Sequence, residues 1–544
     1  MSDSFSKSVF KNLAGASVDE ILRRGSEYGS ISTRISAELK TQHPDKLRDI
    51  GDSADGVVYL SEEDRRANTH IIGAPEQGKS KLLEMLIRQD VKRGQGVCLL
   101  DPSDNGDTMY RVLRWCIHQY KETGDERYKK VCLIDPHDAA QKEFGGFEKI
   151  PVIVPRHNLM DTIRILFSTK DFSETPTIQQ YLPSVFYALK KAKQPLSSFV
   201  NFRNKSDAIY RLKRNEIIRA LPPRDDHRIE LEDLFSPGNA MLFKEFRSSI
   251  RRMTPFRHYI MRSMFQVKGG IPFNDMIRDG WIILCNLDYT GVANFGNEHQ
   301  RLIGTMVIHE IFQSLSAMAA NKRQGVYNLY IDEVGDYATR SLSTILLKKR
   351  KLGLRLTLAH QSLAQIEDKL VENAIYTGAR TKFLFHTQDP HDAYQMIRMM
   401  YGGSISDEEV RYYLGQLPKQ QALLKIAKKP TVTITLNDVP DYEVTADEMR
   451  KFKEDIYKHP WYRDARKKKD VKKEESVRPT RKRPDEGGGV GVASERKGER
   501  ESTSGFKLRK VFDDKTDSPA PLRDTQGRKP RSPRKGKSKG DGGV

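Results

Sequence analysis

The chain has 544 residues, 93 Lys+Arg against 73 Asp+Glu, and a formal net charge of +20. That length exceeds one ordinary core and predicts two or three structural units. A basic excess of this size points to a polyanionic partner, nucleic acid or an anionic membrane face. Hydrophobic residues at 37% and charged residues at 31% suit a soluble chain with some disordered length. Cys98, Cys116, Cys132 and Cys285 lie far apart in or near apolar runs. Their spacing argues against a disulfide framework or a metal-ligand pair and fits reduced core thiols of a cytoplasmic protein.

In chain order, "MSDSFSKSVFKNLAG" has no uninterrupted apolar segment and is no signal peptide, and residues 1–54 are expected to be helical or flexible. Strands are predicted at 70–72, 96–101, 130–135, 281–287, 328–332, 354–360 and 381–386. Most are apolar with little alternation, the mark of strands buried on both faces of a parallel sheet. Helices are predicted between them at about 79–93, 105–121, 298–320, 341–351 and 362–373. This alternation gives an α/β fold with a mainly parallel sheet.

The interval 158–278 has no strand-like run and reads as an inserted all-α subdomain, which splits the core into 55–157 and 279–440. "IGTMVIHEIFQSLSAMAA" (303–320) carries His309 and Glu310 in mid-run, so a buried or amphipathic helix explains it better than a bilayer crossing. A C-terminal helix is expected over 441–462. The remaining 463–544 hold 26 Lys+Arg against 14 Asp+Glu and few large apolar residues. Such a tail cannot bury enough surface to offset ordering entropy and is expected to be disordered. It is either a solubilising tail or an arm that docks nucleic acid or a partner.

The motif Gly73-Ala74-Pro75-Glu76-Gln77-Gly78-Lys79-Ser80 satisfies G-x-x-x-x-G-K-[ST]. It follows a strand and opens a helix with an apolar stripe at Leu82, Leu83, Leu86 and Ile87. Residues 73–81, from Gly73 to Lys81, are therefore expected to bind nucleotide through loop amides and the helix N-terminus. Lys79 would reach the β/γ-phosphates, and the Ser80 hydroxyl would bind Mg²⁺. Pro75 sits early in the loop, where its missing donor need not face phosphate, and Glu76 can point to solvent. Gln77 is less usual, because a small residue commonly stands near there.

"NLYIDEVGDYAT" (328–339) ends an apolar strand in Asp332-Glu333. Asp332 would hold Mg²⁺, and Glu333 would polarise the water that attacks the γ-phosphate. Alone, the pair is equally a helix cap. The strand 354–360 delivers Gln361 at its C-terminal end, the edge where ligands sit in parallel sheets. Gln361 would sense the γ-phosphate or simply cap the next helix.

"LSEEDRRANTHIIGAPEQGKSKLLEMLIRQDVKRGQGVCLLDPSDN", "IDPHD", "NLYIDEVGDYAT" and "GLRLTLAHQSLAQI" together resemble the HerA/FtsK superfamily of DNA-pumping ATPases. Within it they look most like TraD/TraG-type coupling proteins of conjugative type IV secretion and their soluble relatives. The similarity spans about 55–430. It implies a RecA-like motor that forms a ring, typically a homo-hexamer, and couples hydrolysis of ATP with Mg²⁺ to DNA translocation. Each site would then lie at a subunit boundary, with an arginine finger from the neighbour. Arg380 is the candidate, with Arg355 and Arg340 behind it. Coupling proteins usually begin with transmembrane helices, and this sequence has none. The expected location is cytoplasmic or peripheral at the inner membrane, with a relaxase or a type IV secretion channel as further partners.

"DRRANTH" (64–70) places Arg65 and Arg66 either at the nucleotide base or a neighbour, or on the surface. "FRSSIRRMTPFRHYIMR" (246–262) includes Arg251 and Arg252, which would contact DNA phosphates or form a solvated face. Lys467, Lys468, Lys469, Arg481, Lys482 and Arg483 are the expected DNA-capturing residues of the tail. Two rival functions share the same nucleotide chemistry: an ATP-gated adaptor that recruits a relaxase or effector, and a HerA-like DNA end-processing helicase.

Overall fold

Seven short runs of aliphatic residues, each flanked by a polar or glycine-containing segment, build the centre of the molecule in a computed structural model of the chain. It describes residues 47–465 apart from 55, 67, 141–146, 155–175, 206, 322–325, 339–341, 344, 347–351, 367, 402–405, 407, 409, 411–416 and 428. The strands are β1 (Leu47–Ser53), β2 (Gly56–Ser61), β3 (Thr69–Ile72), β4 (Gly96–Asp101), β5 (Val131–Ile134), β6 (Lys149–Pro151) and β7 (Ile282–Asn286). They continue as β8 (Tyr327–Ile331), β9 (Leu354–His360), β10 (Thr381–Leu384), β11 (Gln421–Ile426), β12 (Val432–Leu436) and β13 (Tyr462–Asp464).

Eleven strands form one sheet in the order β2-β1-β12-β11-β10-β3-β9-β8-β4-β7-β5. From β10 to β5 all neighbours are parallel. Every residue of β3, β4, β5, β7, β8 and β9 is buried, as strands covered on both faces require. One strand, β9, stands between the P-loop strand β3 and the Asp332-Glu333 strand β8. The fold is thus α/β, with a RecA-like P-loop core around a mainly parallel sheet.

Six strands, β1, β2, β6, β11, β12 and β13, are not among those expected. Strand β1 lies within the stretch expected to be helical or flexible, yet it pairs antiparallel with β2 and β12. Strands β11 and β12 extend the sheet antiparallel from β10. They carry charged or alternating residues because they lie toward one edge of the sheet, where a continuous apolar run is not needed.

The longer helices are α1 (Lys79–Lys92), α2 (Asp107–Thr123), α3 (Pro176–Lys191), α4 (Ala208–Arg219), α5 (Asp226–Leu234), α6 (Ala240–Ile250), α7 (Asn297–Ala320), α8 (Lys369–Gly378), α9 (Pro390–Tyr401) and α10 (Ala446–Tyr457). Asp207 and Asp225 cap α4 and α5 by accepting from backbone N–H groups, and Thr445 with Glu448 forms a capping box on α10. The helix expected over 362–373 is instead a single turn at Leu363–Gln365 followed by α8, which Asp368 caps. That predicted over 341–351 falls mostly outside the described residues.

Helix α7 is the one described helix long and apolar enough to cross a membrane by length and composition, but 61% of its apolar window is buried inside the fold. Gly304 lies so close to Tyr337 that a Cβ there would come within 2.3 Å of the ring. The described residues of 176–278 form helices, single turns and loops and no strand, with one isolated bridge from Phe265 to Ile153. The four cysteines are buried free thiols.

Residues Arg463 and Asp464, expected in the tail, belong to the folded body. They lie in β13, which pairs with β6, and Asp464 meets Lys149 at 2.6 Å. Residues 466–544 lie outside the described residues.

Candidate nucleotide site

The P-loop leaves β3 at Ile72 and is held on both sides. The Gly73 N–H donates to the His360 carbonyl at 3.3 Å and the Ala74 N–H to the His386 carbonyl at 2.8 Å. A Cβ on Gly73 would sit 2.5 Å from the Phe385 Cβ, so close passage beside β10 requires glycine.

The unusual middle of the loop has a local explanation. Glu76 adopts φ 60° and Gly78 φ 118°, so the chain makes its sharp turn at Glu76 with a non-glycine in left-handed conformation. The Glu76 side chain is 80% exposed and pairs with Lys419 at 3.1 Å. The Gln77 carbonyl accepts from the Gln420 N–H at 2.9 Å. The loop is thus fastened to the segment before β11, and Glu76 points to solvent as expected.

Lys79 is buried and donates to the Gly73 and Ala74 carbonyls at 2.7 and 3.0 Å. Burial lowers its pKa, opposed by Asp332 and Glu333. At the end of β8 the Asp332 N–H donates to the Leu100 carbonyl at 3.1 Å, and its carboxylate accepts from the Ser80 hydroxyl at 3.4 Å. Burial, with the nearby Asp101 adding to it, pushes Asp332 up to about 6. Glu333 is a second non-glycine at positive φ, 49°, a strained conformation of the kind that collects at active sites. Its Oε1 accepts from the Gln361 amide at 2.7 Å, and its buried Oε2 has no partner among the described residues. Burial and Asp332 raise its pKa.

Lys79, Ser80, Asp332, Glu333 and Gln361, predicted from three separate motifs, therefore meet at the C-terminal edge of the parallel strands. The Ser80 hydroxyl and Asp332 carboxylate are hard oxygen donors, which fit Mg²⁺. The loop at the N-terminus of α1, with a lysine at its base, fits a polyphosphate.

No family model matches the chain, and no curated protein matches it. Solved structures do. One is the bacterial conjugative coupling protein TrwBdeltaN70, at 16% identity over 75% of this chain and 92% of that one, TM-score 0.45. Another is the plasmid coupling protein TrwB in complex with ADP and Mg2+, at 15% identity over 75% and 94%, TM-score 0.46. A third is VirB4 of Thermoanaerobacter pseudethanolicus, at 16% identity over 72% and 96%, TM-score 0.45. The similarity is one of fold.

Other sequence candidates lie away from this site. The Lys81 side chain is taken up by Asp438 and by Gln420, the latter at 3.2 Å. Arg380 is exposed at the start of β10, whose Thr381 pairs with Thr69 at the start of β3. That is the sheet edge opposite the P-loop, so Arg380 does not join its own chain's site. Arg355 is no candidate finger: it is buried and paired with Glu62 at 2.6 Å. Arg340 lies outside the described residues. Arg65 turns into the core rather than onto the surface. It is buried and bonds Asp90, Tyr330, Thr69 and Thr357.

Arg251 is exposed at the end of α6. Together with Arg257 and Arg247 it lies near enough to Arg203 that, after burial, these like charges lower the Arg203 pKa. The Arg252 side chain and all of Lys467, Lys468, Lys469, Arg481, Lys482 and Arg483 lie outside the described residues.

Sequence reasoning missed two site neighbours. Asp101 ends β4 as Asp332 follows β8, and it accepts from the Ser103 N–H and hydroxyl and the Met109 N–H. Burial pushes it up to about 6. Its signal was an apolar run, "GVCLLD", ending in a carboxylate. The other is His360, a histidine closing the apolar run "LRLTLAH".

Proposed function

We propose that the chain is an ATPase of the conjugative coupling type, working as a ring and translocating DNA. The observation that supports this best is the meeting of Lys79, Ser80, Asp332, Glu333 and Gln361 at one strand edge. ATP would lie on the backbone of residues 73–81, with Lys79 on the β/γ-phosphates, and Ser80 and Asp332 would hold Mg²⁺. Bound Mg²⁺ supplies charge neutralisation at the phosphates. Glu333 accepts the proton of the attacking water through its unpartnered oxygen, with a pKa raised toward the working range of a general base. Gln361 fixes the other oxygen of Glu333 and faces the γ-phosphate.

DNA would be engaged by Arg251 and Arg252 of the helical insert and by the lysines and arginines of the basic tail, through sequence-blind phosphate contacts. Arg380, far from its own site, remains available as a finger for the neighbouring subunit. Residues 55–157 and 279–440 would form the motor, 158–278 the insert, and 463–544 the polyanion-capturing arm, in the cytoplasm or peripherally at the inner membrane. A relaxase or a type IV secretion channel would be its further partner.

Phosphate release by the purified chain, with and without single- and double-stranded DNA, tests the reading. ATP turnover stimulated by DNA and lost in Glu333→Gln is the expected result. Turnover indifferent to DNA would remove the motor reading, and turnover indifferent to Glu333 would remove the site.

A further inference from the structure

His70 lies in β3 and His360 ends β9, and their Nε2 atoms are 2.6 Å apart. Both side chains are fully buried. The ring centroids are 4.9 Å apart and the planes differ by 14°, so the rings meet tip to tip rather than face to face. The proton positions follow from the partners. His360 Nδ1 is 3.0 Å from the Ser362 carbonyl, which can only accept, so Nδ1 carries the proton and Nε2 is the acceptor. His70 Nε2–H is then the donor to it. His70 Nδ1 is left buried without a partner among the described residues, with the Tyr376 ring edge-on at 5.8 Å.

The charged groups around the pair favour this neutral form. Lys382 on β10 adjoins His70, and Lys79 acts on His360, which burial pushes down to about 4; Glu372 on α8 opposes. A core position between two parallel strands is ordinarily filled by an aliphatic side chain, and a buried polar pair with an orphaned nitrogen is a costlier filling.

What the pair adjoins is the catalytic constellation. The carbonyl of His360 accepts from Gly73, the first residue of the P-loop, and the next residue, Gln361, bonds Glu333. We propose that the His70–His360 hydrogen bond is the positioning device for Gln361. It locks the end of β9 to the P-loop strand, so that Gln361 is held on Glu333. The two histidines act through Gln361 and touch no substrate. This rests on the ATPase reading above.

The test compares wild type, His70→Phe, His70→Leu and His70→Gln in the full chain. It measures kcat, the affinities for ADP and ATPγS, and the melting temperature. The apolar variants keep bulk but lose the donor, whereas the glutamine amide can offer an N–H near the position of Nε2. The apolar variants are expected to lower kcat by about 10- to 100-fold and to lose the preference for ATPγS over ADP, with ADP affinity unchanged. His70→Gln is expected to recover most of both. Full turnover in either folded apolar variant, or an equal loss in His70→Gln, overturns the positioning role and leaves the ATPase reading standing. A parallel loss of ADP affinity also overturns it, since a merely structural defect would do that. A wild-type chain that neither binds nor hydrolyses ATP overturns the site reading and this inference with it.

Discussion

The Gln361 amide donates to Glu333 Oε1 at 2.7 Å, joining the end of β9 to the end of β8. Because that oxygen is occupied while Oε2 is buried and unpartnered among the described residues, the carboxylate has one oxygen fixed and one free for a water proton. Glu333→Gln keeps the shape and removes the proposed base. It is expected to retain nucleotide binding and lower turnover by about 10²–10⁴-fold. Gln361→Ala removes one hydrogen bond to a charged group, about 1.5–3 kcal/mol, and is expected to lower turnover about 10- to 100-fold. Fluorescent-nucleotide binding and phosphate release measure both. Glu333→Gln at wild-type turnover would dismiss the assignment.

On α1, Asp90 is the shared anchor of two buried arginines. Arg48 reaches it at 2.6 Å and Arg65 at 3.2 Å, and Tyr330 donates to it as well. Burial raises the Asp90 pKa, yet Arg65 and Arg48 pull it below its ordinary value. Asp90→Ala leaves the buried Arg65 without its carboxylate, while Arg48 keeps Glu62 at 2.7 Å, and is expected to destabilise the fold by about 3–5 kcal/mol. Asp90→Leu combined with Arg65→Met removes the stranded charge and is expected to cost less than Asp90→Ala alone. Urea unfolding of the variants decides it: equal losses would mean that the arginines are not held by Asp90.

A half-buried electrostatic feature works against stability. Lys382 and Lys425 face one another across β10 and β11. Burial and the neighbouring Lys425 push Lys382 from 10.5 down to about 8. The folded state thus holds this proton less tightly than the unfolded chain. The resulting cost is complete below about pH 8 and disappears as pH rises toward 10.5. Lys382→Met is expected to stabilise the protein at pH 7 by up to about 3 kcal/mol, with a gain that shrinks between pH 8 and 10.5. Melting temperatures across that range provide the check, and a gain independent of pH would assign the effect to packing.

These features divide what the sequence reveals from what it does not. Strands β4, β5 and β7 are buried on both faces and read as nearly unbroken apolar runs, while β8 and β9 set Asn328, Arg355 and Thr357 among apolar residues, so the parallel core and the residues at its C-terminal edge could be located by pattern alone. Strand β12, "VTITL", and strand β1, "LRDIGDS", pair antiparallel at one side of the sheet and alternate or carry charge, so local pattern gave no strand. The buried arginines are further from reach. "DRR" gives no sign that Arg65 turns inward while Arg66 is exposed, because its partners Asp90, Tyr330 and Thr357 are distant in sequence. Glu76 in the P-loop looked anomalous only without Lys419, which lies 343 positions away.

The same tertiary information relocates the boundary of the basic tail. Tyr462–Asp464 pair with Lys149–Pro151. Arg463 donates to the Lys268 carbonyl at 3.1 Å and the Ala465 N–H to the Glu148 carbonyl at 2.7 Å. Cutting the chain after Trp461 would strip β6 of its partner and is expected to lower the melting temperature, whereas cutting after Ala465 would not. The longer truncated chain still loses 25 Lys+Arg against 13 Asp+Glu. If that segment captures DNA, each phosphate contact it makes contributes about 0.9 to the slope of log K against log salt. The chain ending at Ala465 is therefore expected to bind DNA more weakly and with a flatter salt dependence, at unchanged basal ATP turnover. Fluorescence anisotropy over a salt series measures the slope. An unaltered slope would transfer DNA capture from the tail to the arginines of the helical insert, where Arg203→Gln with Arg251→Gln would then have to flatten it instead.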